Sequence, residues 1–264
     1  MSQKASPDRK FMERATSTDN LKDRSNVNAT YGTNDFDAWV DSLFDQVTFN
    51  SVLDVCCGRG NQLIKYAMRK ASPLVGVDLS NESLLTADKR LQAIGAKGYR
   101  LKAAPMEHLF QDAELSLARF DLMSCFYGLY YSQDPTATLG QMIDHLSPSG
   151  AILIVGPYGE NNASLFRLLQ KHFALPDLVF RSATTFMEHD VLPVLSARLD
   201  VQKEIFVNPV RYPQARVLID YWRSSTFYSA SHEPAVIRDI EEHFTRHGHF
   251  IMEKHVMAYL ARKS

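Results

Sequence analysis

Two aspartates stand 24 positions apart, each closing a short apolar run: Asp54 follows Val52 and Leu53, and Asp78 follows Leu74 to Val77. Between them runs CCGRGNQ, Cys56 to Gln62, where Gly58 and Gly60 let the chain turn sharply and bring main-chain N–H groups close to a ligand. Strand, glycine loop and helix start, in that order, face a ligand with backbone rather than side chains. An acid at the end of the second strand can accept from both hydroxyls of a ribose, which assigns Asp78 to an adenosine-containing ligand. A dinucleotide fingerprint would need glycine at position 63, where the chain has Leu63. Asp54, directly before the loop, would repel a pyrophosphate but could reach an amino group, so a cationic ligand fits better than a nicotinamide dinucleotide.

These residues need elements to hold them. Phe36, Trp39, Val40 and Phe44 recur at helical spacing behind Asn34 or Asp35 as a cap. Gln62 to Ala71 continues the loop as a helix, and Ser80 caps another that carries Leu84, Ala87, Leu91 and Ile94 and stops at Gly95. GYRLKA, RFDLMSCF and AILIVGP read as further strands, the last two separated by a helix bearing Leu139, Met142, Ile143 and Leu146. Near-continuous apolar strands alternating with helices predict a doubly wound, mainly parallel α/β sheet covered on both faces. Beyond Gly156 the alternation loosens, and Pro234 opens a last helix before a last strand, HFIMEKHVMAYLARK. Residues 1–28 are polar without a period and are expected to be a flexible arm; 29–264 are expected to form one domain, with 159–231 as its substrate-side elaboration.

Composition excludes several classes. A formal net charge of -1 on 264 residues provides no general attraction to nucleic acid or anionic membranes. The start MSQKASPDRK lacks an apolar leader, and runs such as Ala151 to Val155 are far too short to cross a bilayer. Three cysteines, Cys56, Cys57 and Cys125, show no zinc-type spacing and suit a reducing cytoplasm. Neither a metal, a nucleic acid nor a membrane partner is expected.

Taken in order, VLDVCCGRG, VGVDLS, PMEHLF, RFDLMSCFYGLYY and LSPSGAILIV resemble the motif set of class I S-adenosylmethionine-dependent methyltransferases of the small-molecule type. The resemblance runs from about Tyr31 to Val155, with a weaker match over Pro234 to Ala261. It implies a seven-stranded Rossmann-like sheet and S-adenosylmethionine as cofactor. Asp54, Cys56, Gly58 and Gly60 would line the methionine part, with Asn61 or Gln62 nearby, and Asp78 would hold the ribose. Leu79 would pack on the adenine with Met106 and Glu107 at its edge, Cys125 and Phe126 would flank the methionine end, and Tyr31 would close over the ligand. Two positions depart from the pattern: Cys56 stands where the family usually has glycine, and Pro105 where an acid often meets the adenine amino group.

The acceptor is harder to read. An in-line methyl transfer needs no enzyme nucleophile, but a hydroxyl or ammonium acceptor needs a base. His189, in MEHD beside Asp190, is the first candidate, ahead of His108 and His232. The chain lacks the Asn or Asp followed by two prolines of nucleobase and glutamine N-methyltransferases after the fourth strand, which favours a small, non-nucleobase acceptor. Tyr127, Tyr130 and Tyr131 fit a pocket wall or the core equally, and so do Tyr221 and Trp222, which with Phe186, Tyr212, Phe227 and Tyr228 form an aromatic cap or its packing. The expected activity is methyl transfer to an O, N or C atom of a small-molecule acceptor in a desolvated pocket. The alternatives are a non-catalytic cofactor-binding or scaffold subunit and a cofactor-modifying enzyme of the same fold.

Overall fold

The computed structural model describes Arg14 and residues 17–263. Strands β1 (Val52–Val55), β2 (Leu74–Asp78), β3 (Tyr99–Ala103), β4 (Phe120–Phe126), β5 (Leu146–Pro157), β6 (Asp200–Tyr212) and β7 (Phe250–Arg262) form one sheet. Its order is β3-β2-β1-β4-β5-β7-β6. The first five strands are parallel, and β7 runs antiparallel between β5 and the edge strand β6. Pro209 is accommodated in β6 because an edge strand has one row of N–H groups without a ladder partner. The seven-stranded, mainly parallel expectation is met.

Successive residues of each inner strand go to opposite faces. Leu53, Val55, Met123, Ile152 and Ile154 join one apolar cluster, while Val52, Leu122, Leu153 and Val155 join another. Both faces are therefore buried, which is why the strands read as continuous apolar runs. Strand order reverses between β1 and β4, so the loops after Val55 and after Phe126 open side by side at the carboxyl edge of the sheet.

The helices are α1 (Thr18–Tyr31), α2 (Phe36–Phe44), α3 (Asn61–Met68), α4 (Asn81–Ala93), α5 (Pro135–Asp144), α6 (Ala163–Leu169), α7 (Asp177–Thr184), α8 (Leu192–Ser196), α9 (Ala215–Ser224) and α10 (Glu233–His247). Asp35 and Ser80 cap α2 and α4, accepting from Ala38 N and Ser83 N. Pairing of β7 with β5 ends at Val256 and Pro157, so the half of the antiparallel β6/β7 pair nearest Tyr212 and Phe250 extends past the carboxyl edge. On that extension sits a third apolar cluster, built from Leu165, Phe166, Leu218, Trp222, Ile240 and Met252 among others.

One expectation is corrected here. Within the expected flexible arm, residues 18–28 belong to α1; of the rest, only Arg14 and Ser17 are described. This helix has no apolar stripe to betray it. It is held by polar contacts made far along the chain: Arg14 Nε donates to Ser225 O at 3.0 Å, Arg24 donates to Ser224 O, and Asn208 Oδ1 accepts from Thr33 N at 2.9 Å and Asn34 N at 3.0 Å. Within 159–231, expected as a substrate-side elaboration of the single domain, the expected strand is β6 at the edge of the main sheet.

Candidate functional site

The loop after β1 turns through three left-handed steps at alternate positions: Cys56 (φ 58), Gly58 (φ 50) and Gly60 (φ 77). Cys57 N donates to Val77 O and Gly60 N to Cys57 O, both at 2.9 Å, which ties the loop to β2. Asp78 then holds it from the other side. Its Oδ2 accepts from Gly58 N and its Oδ1 from Ser80 N, each at 2.8 Å, leaving the remaining lone pairs of both oxygens turned to the partly open edge. Leu79 beside it is 56% exposed, an apolar surface at the sheet edge.

Asp54 is 1% exposed, and Ser124 Oγ donates to its Oδ1 at 2.6 Å. Its other oxygen, Oδ2, is buried without a partner. Burial, opposed in part by the Ser124 bond and reinforced by the charge of Asp78, raises the carboxyl to about 7. A cationic group at this point would supply the missing partner and restore the charged form.

Cys56 shows what glycine would usually do here. Its left-handed φ costs an L residue on the order of 1 kcal/mol. Its side chain fits because Gly128 has none: a Cβ on Gly128 would lie 2.3 Å from Cys56 Cβ and 2.6 Å from its Sγ. The Cys125 thiol packs against both, and this contact with burial pushes the Cys56 thiol well up. All three cysteines are free thiols.

Beyond this loop, Tyr127 (φ 55) leaves β4 with its N–H bound to Val155 O at 2.8 Å. Tyr130 and Tyr131 pack edge to face with ring centroids 4.6 Å apart. All three residues are half-buried, and burial pushes each phenol up. The Arg24 guanidinium of α1 reaches toward them and acts electrostatically on Tyr130, Tyr131 and Tyr221. A cavity of about 590 Å³ between α1 and α9 is lined by Val27, Tyr31, Val217, Tyr221 and Arg223, among others.

The structure therefore gathers Asp54, Cys56, Gly58, Gly60, Asp78 and Cys125 at one end, and Tyr127, Tyr130, Tyr131 and Tyr221 at the other. Other expected residues go elsewhere. His189 is exposed on a wide turn (Met187–Val191), and Asp190 beside it pairs with Arg181 at 2.7 Å. Trp222 is 0% exposed and donates to Phe227 O, so it is packing. His108 bonds Gln111, and His232 stacks on Phe173. Asn61 is exposed and accepts from Arg90 at 2.6 Å. Glu107 accepts from Ser132 Oγ and Gln133 N, both at 2.8 Å, bracing the tyrosine turn, while Met106 packs half-buried on the core. Phe126 is buried against Phe44, and Tyr31 faces the α1/α9 cavity.

One residue escaped the sequence reading. Lys254 of β7 is 8% exposed, donates to Asn162 Oδ1 at 2.6 Å and bonds Tyr221 Oη, with the tyrosine ring 4.2 Å from its nitrogen. Burial and the Arg24 charge hold its ammonium well below the usual lysine range. A signal existed: Phe250, Met252, Lys254 and Val256 share one face of the strand, and a lysine in that apolar phase is out of place.

The surroundings of this geometry are familiar. An uncharacterised protein of Haemophilus influenzae is 32% identical over 114 residues, 42% of this chain and 44% of its own length. The chain thus spans less than half the length of that relative. The 2-phytyl-1,4-naphtoquinone methyltransferase of Trichormus variabilis is 27% identical over 192 residues, 70% of this chain and 75% of that enzyme. The crystal structure of YcgJ from Bacillus subtilis superposes with a TM-score of 0.58 at 17% identity, over 84% of this chain and 97% of that one, and so shares the fold. Residues 49–212, which carry the glycine loop, both aspartates and the tyrosine turn, match the profile described as Methyltransferase domain. More than half of the chain is matched, from just before β1 to the end of β6, and the protein belongs to that methyltransferase family.

Proposed function

We propose that the chain transfers a methyl group from S-adenosylmethionine to an O, N or C atom of a small molecule. The observation that carries the donor assignment is the orphaned Asp54 Oδ2, a buried carboxylate oxygen that lacks a cationic partner at the mouth of the glycine loop. The methionine ammonium of S-adenosylmethionine meets that need, and the ribose hydroxyls meet the open lone pairs of Asp78. Leu79 supplies an apolar face for the adenine, and Cys56, Gly58, Gly60 and Cys125 shape the methionine end. The residues present fit the donor. When bound, it supplies a methyl carbon made electrophilic by a sulfonium.

The protein's part is to bind, aim and dry. The two aspartates, held in place by the glycine loop, fix one end of the donor, so that an acceptor seated among Tyr127, Tyr130, Tyr131 and Tyr221 meets the methyl along one line. The tyrosine rings, with α1 laid over them, exclude water from that line. No residue forms a covalent bond with the acceptor. The naphthoquinone substrate in the name of the cyanobacterial relative agrees with an aromatic-lined acceptor site. Among the described residues, no helix is long and apolar enough to cross a membrane, and the free thiols suit a reducing cytoplasm. Titration calorimetry with S-adenosylmethionine and with its demethylated product tests the reading. Micromolar binding of both is expected, and binding of neither would sink it.

A further inference from the structure

We propose that Tyr221 and Lys254 form a proton relay that deprotonates the acceptor, and that the acceptor group is accordingly a weakly acidic hydroxyl such as a phenol or enol. The inference rests on the methyl-transfer reading above and specifies its acceptor end.

Three cap elements converge on one amine. Lys254 lies on the part of β7 that runs past β5; Asn162 begins α6 from a left-handed backbone (φ 62); Tyr221 projects from α9. Asn162 Oδ1 accepts one N–H at 2.6 Å, and the amine and the Tyr221 hydroxyl are hydrogen-bonded. Met252 Sδ, 3.9 Å away, is a poor partner. Among the described residues no carboxylate pairs with Lys254. The charged or titratable groups around it are Arg24 from α1 and Tyr221 from α9; Tyr221 in turn acts electrostatically on Tyr127, and Tyr127 on Tyr130.

A buried ammonium beside a guanidinium and without an anion is unfavourable, so burial and the Arg24 charge favour the uncharged amine that the relay uses, while the phenol, pushed up to about 12, keeps its proton. In that state Asn162 fixes one N–H of the amine, the amine lone pair accepts the Tyr221 O–H, and the lone pairs of Tyr221 Oη are free to accept from a ligand. Tyr221 also lines the cavity of about 590 Å³, a volume suited to a small molecule. A purely structural lysine would gain nothing over methionine here, since it carries the desolvation cost without an ion pair.

The step balances. The acceptor O–H bond breaks and its proton passes to Tyr221 Oη as the tyrosine's own proton passes to Lys254 Nζ. The oxygen pair so released forms the O–CH3 bond while the S–CH3 bond breaks, its electrons leaving with a neutral thioether sulfur. Lys254, left as an ammonium, returns its proton to solvent on product release. Tyr221 is the catalytic residue that touches the acceptor, and Lys254 acts through it.

Two measurements test this. Protein labelled with [13Cε]-lysine, with K254M to assign the resonance, should show Lys254 titrating well below the other lysines. Titration together with them would overturn the relay. This readout needs neither donor nor acceptor. Second, transfer from labelled S-adenosylmethionine to a series of para-substituted phenols should fall in K254M by about 100-fold for the least acidic phenols and progressively less for the more acidic ones. K254R, which cannot accept a proton, should match K254M; Y221F should match both, and K254M/Y221F should be no worse than either. Donor affinity by calorimetry should be unchanged throughout. A uniform loss across the series, full activity in K254R, or transfer by the wild type only to amines would refute the relay and leave the methyl-transfer reading standing. Absence of donor binding by the wild type would refute that reading, while the lysine titration would still report on the pair.

Discussion

The donor end and the acceptor end of this site are built on different physical principles. At the donor end, backbone does the work. Cys57, Gly58 and Gly60 form a turn in which the first two N–H groups are tied to β2 and the third to Cys57 O, and two aspartates close it from within the stretch between Val52 and Ser80. At the acceptor end, side chains do it, and they come from across the chain: Arg24, Asn162, Tyr221 and Lys254 meet through residue separations of 92 and 33 for the two bonds to the lysine alone. A backbone turn tolerates changes in side chains around it, whereas a convergence of side chains can be rewritten one substitution at a time. That difference explains how one family keeps a donor and varies its acceptor.

The largest expected effect probes the charge at the donor end. Asp54 is held protonated in the free protein up to about pH 7, well above its unfolded value. Its folded pKa is raised, so the stability it contributes is full below the unfolded value near 4 and is lost as pH rises to about 7. The loss is on the order of 4 kcal/mol and is flat above that pH. Thermal unfolding of Asp54→Asn should therefore gain on the wild type across pH 4 to 7 and then run parallel to it. Donor affinity of the wild type should rise over the same window, because an ammonium binds the ionised form. A pH-independent offset between the two proteins would remove the carboxylate from the donor end.

Next, Asp78→Ala should weaken S-adenosylmethionine about 100-fold in calorimetry, the loss of charge-assisted hydrogen bonds worth roughly 1.5–3 kcal/mol each. The phenol dependence of transfer at saturating donor should not change. A variant that altered it would show the two ends to be coupled rather than separate.

A smaller effect, about 1–3 kcal/mol of stability, is expected of Gly128→Ala, whose Cβ would strike Cys56. Denaturant unfolding of the double variant Gly128→Ala/Cys56→Gly should recover most of that loss, because the glycine both vacates the space and relieves a left-handed cysteine. Simple additivity would mean that the two positions do not share their volume.

The smallest effect is on the acceptor end alone. Asn208→Ala removes the acceptor of Thr33 N and Asn34 N and should loosen α1 by about 1–2 kcal/mol. Limited proteolysis ahead of Tyr31 should quicken while donor affinity stays the same. Weaker donor binding would extend the role of α1 to the other end.

Legibility followed the same division. Asp54, Gly58, Gly60 and Asp78 could be read because turn chemistry and strand ends are local, and the buried sheet announced itself as apolar runs. The helix α1 could not, since its residues carry no apolar period and its ties are to Ser224, Ser225 and Asn208. His189 looked like a base because of the acid next to it, yet that acid turned to Arg181. Trp222, open in sequence between pocket wall and core, is core, because aromatic residues at helical spacing bury themselves by default.

By itself, the sequence determined the sheet, the glycine loop and the two aspartates that define the donor end, because each depends on residues only a few positions apart or on a periodicity. Only the tertiary structure decided that Arg24 comes within electrostatic reach of Tyr130, Tyr131 and Tyr221, and that Lys254 is buried between Asn162 and Tyr221 with its ammonium held well below the usual lysine range. Those facts depend on burial and on distances between remote residues, and burial is what turns an ordinary lysine into a base.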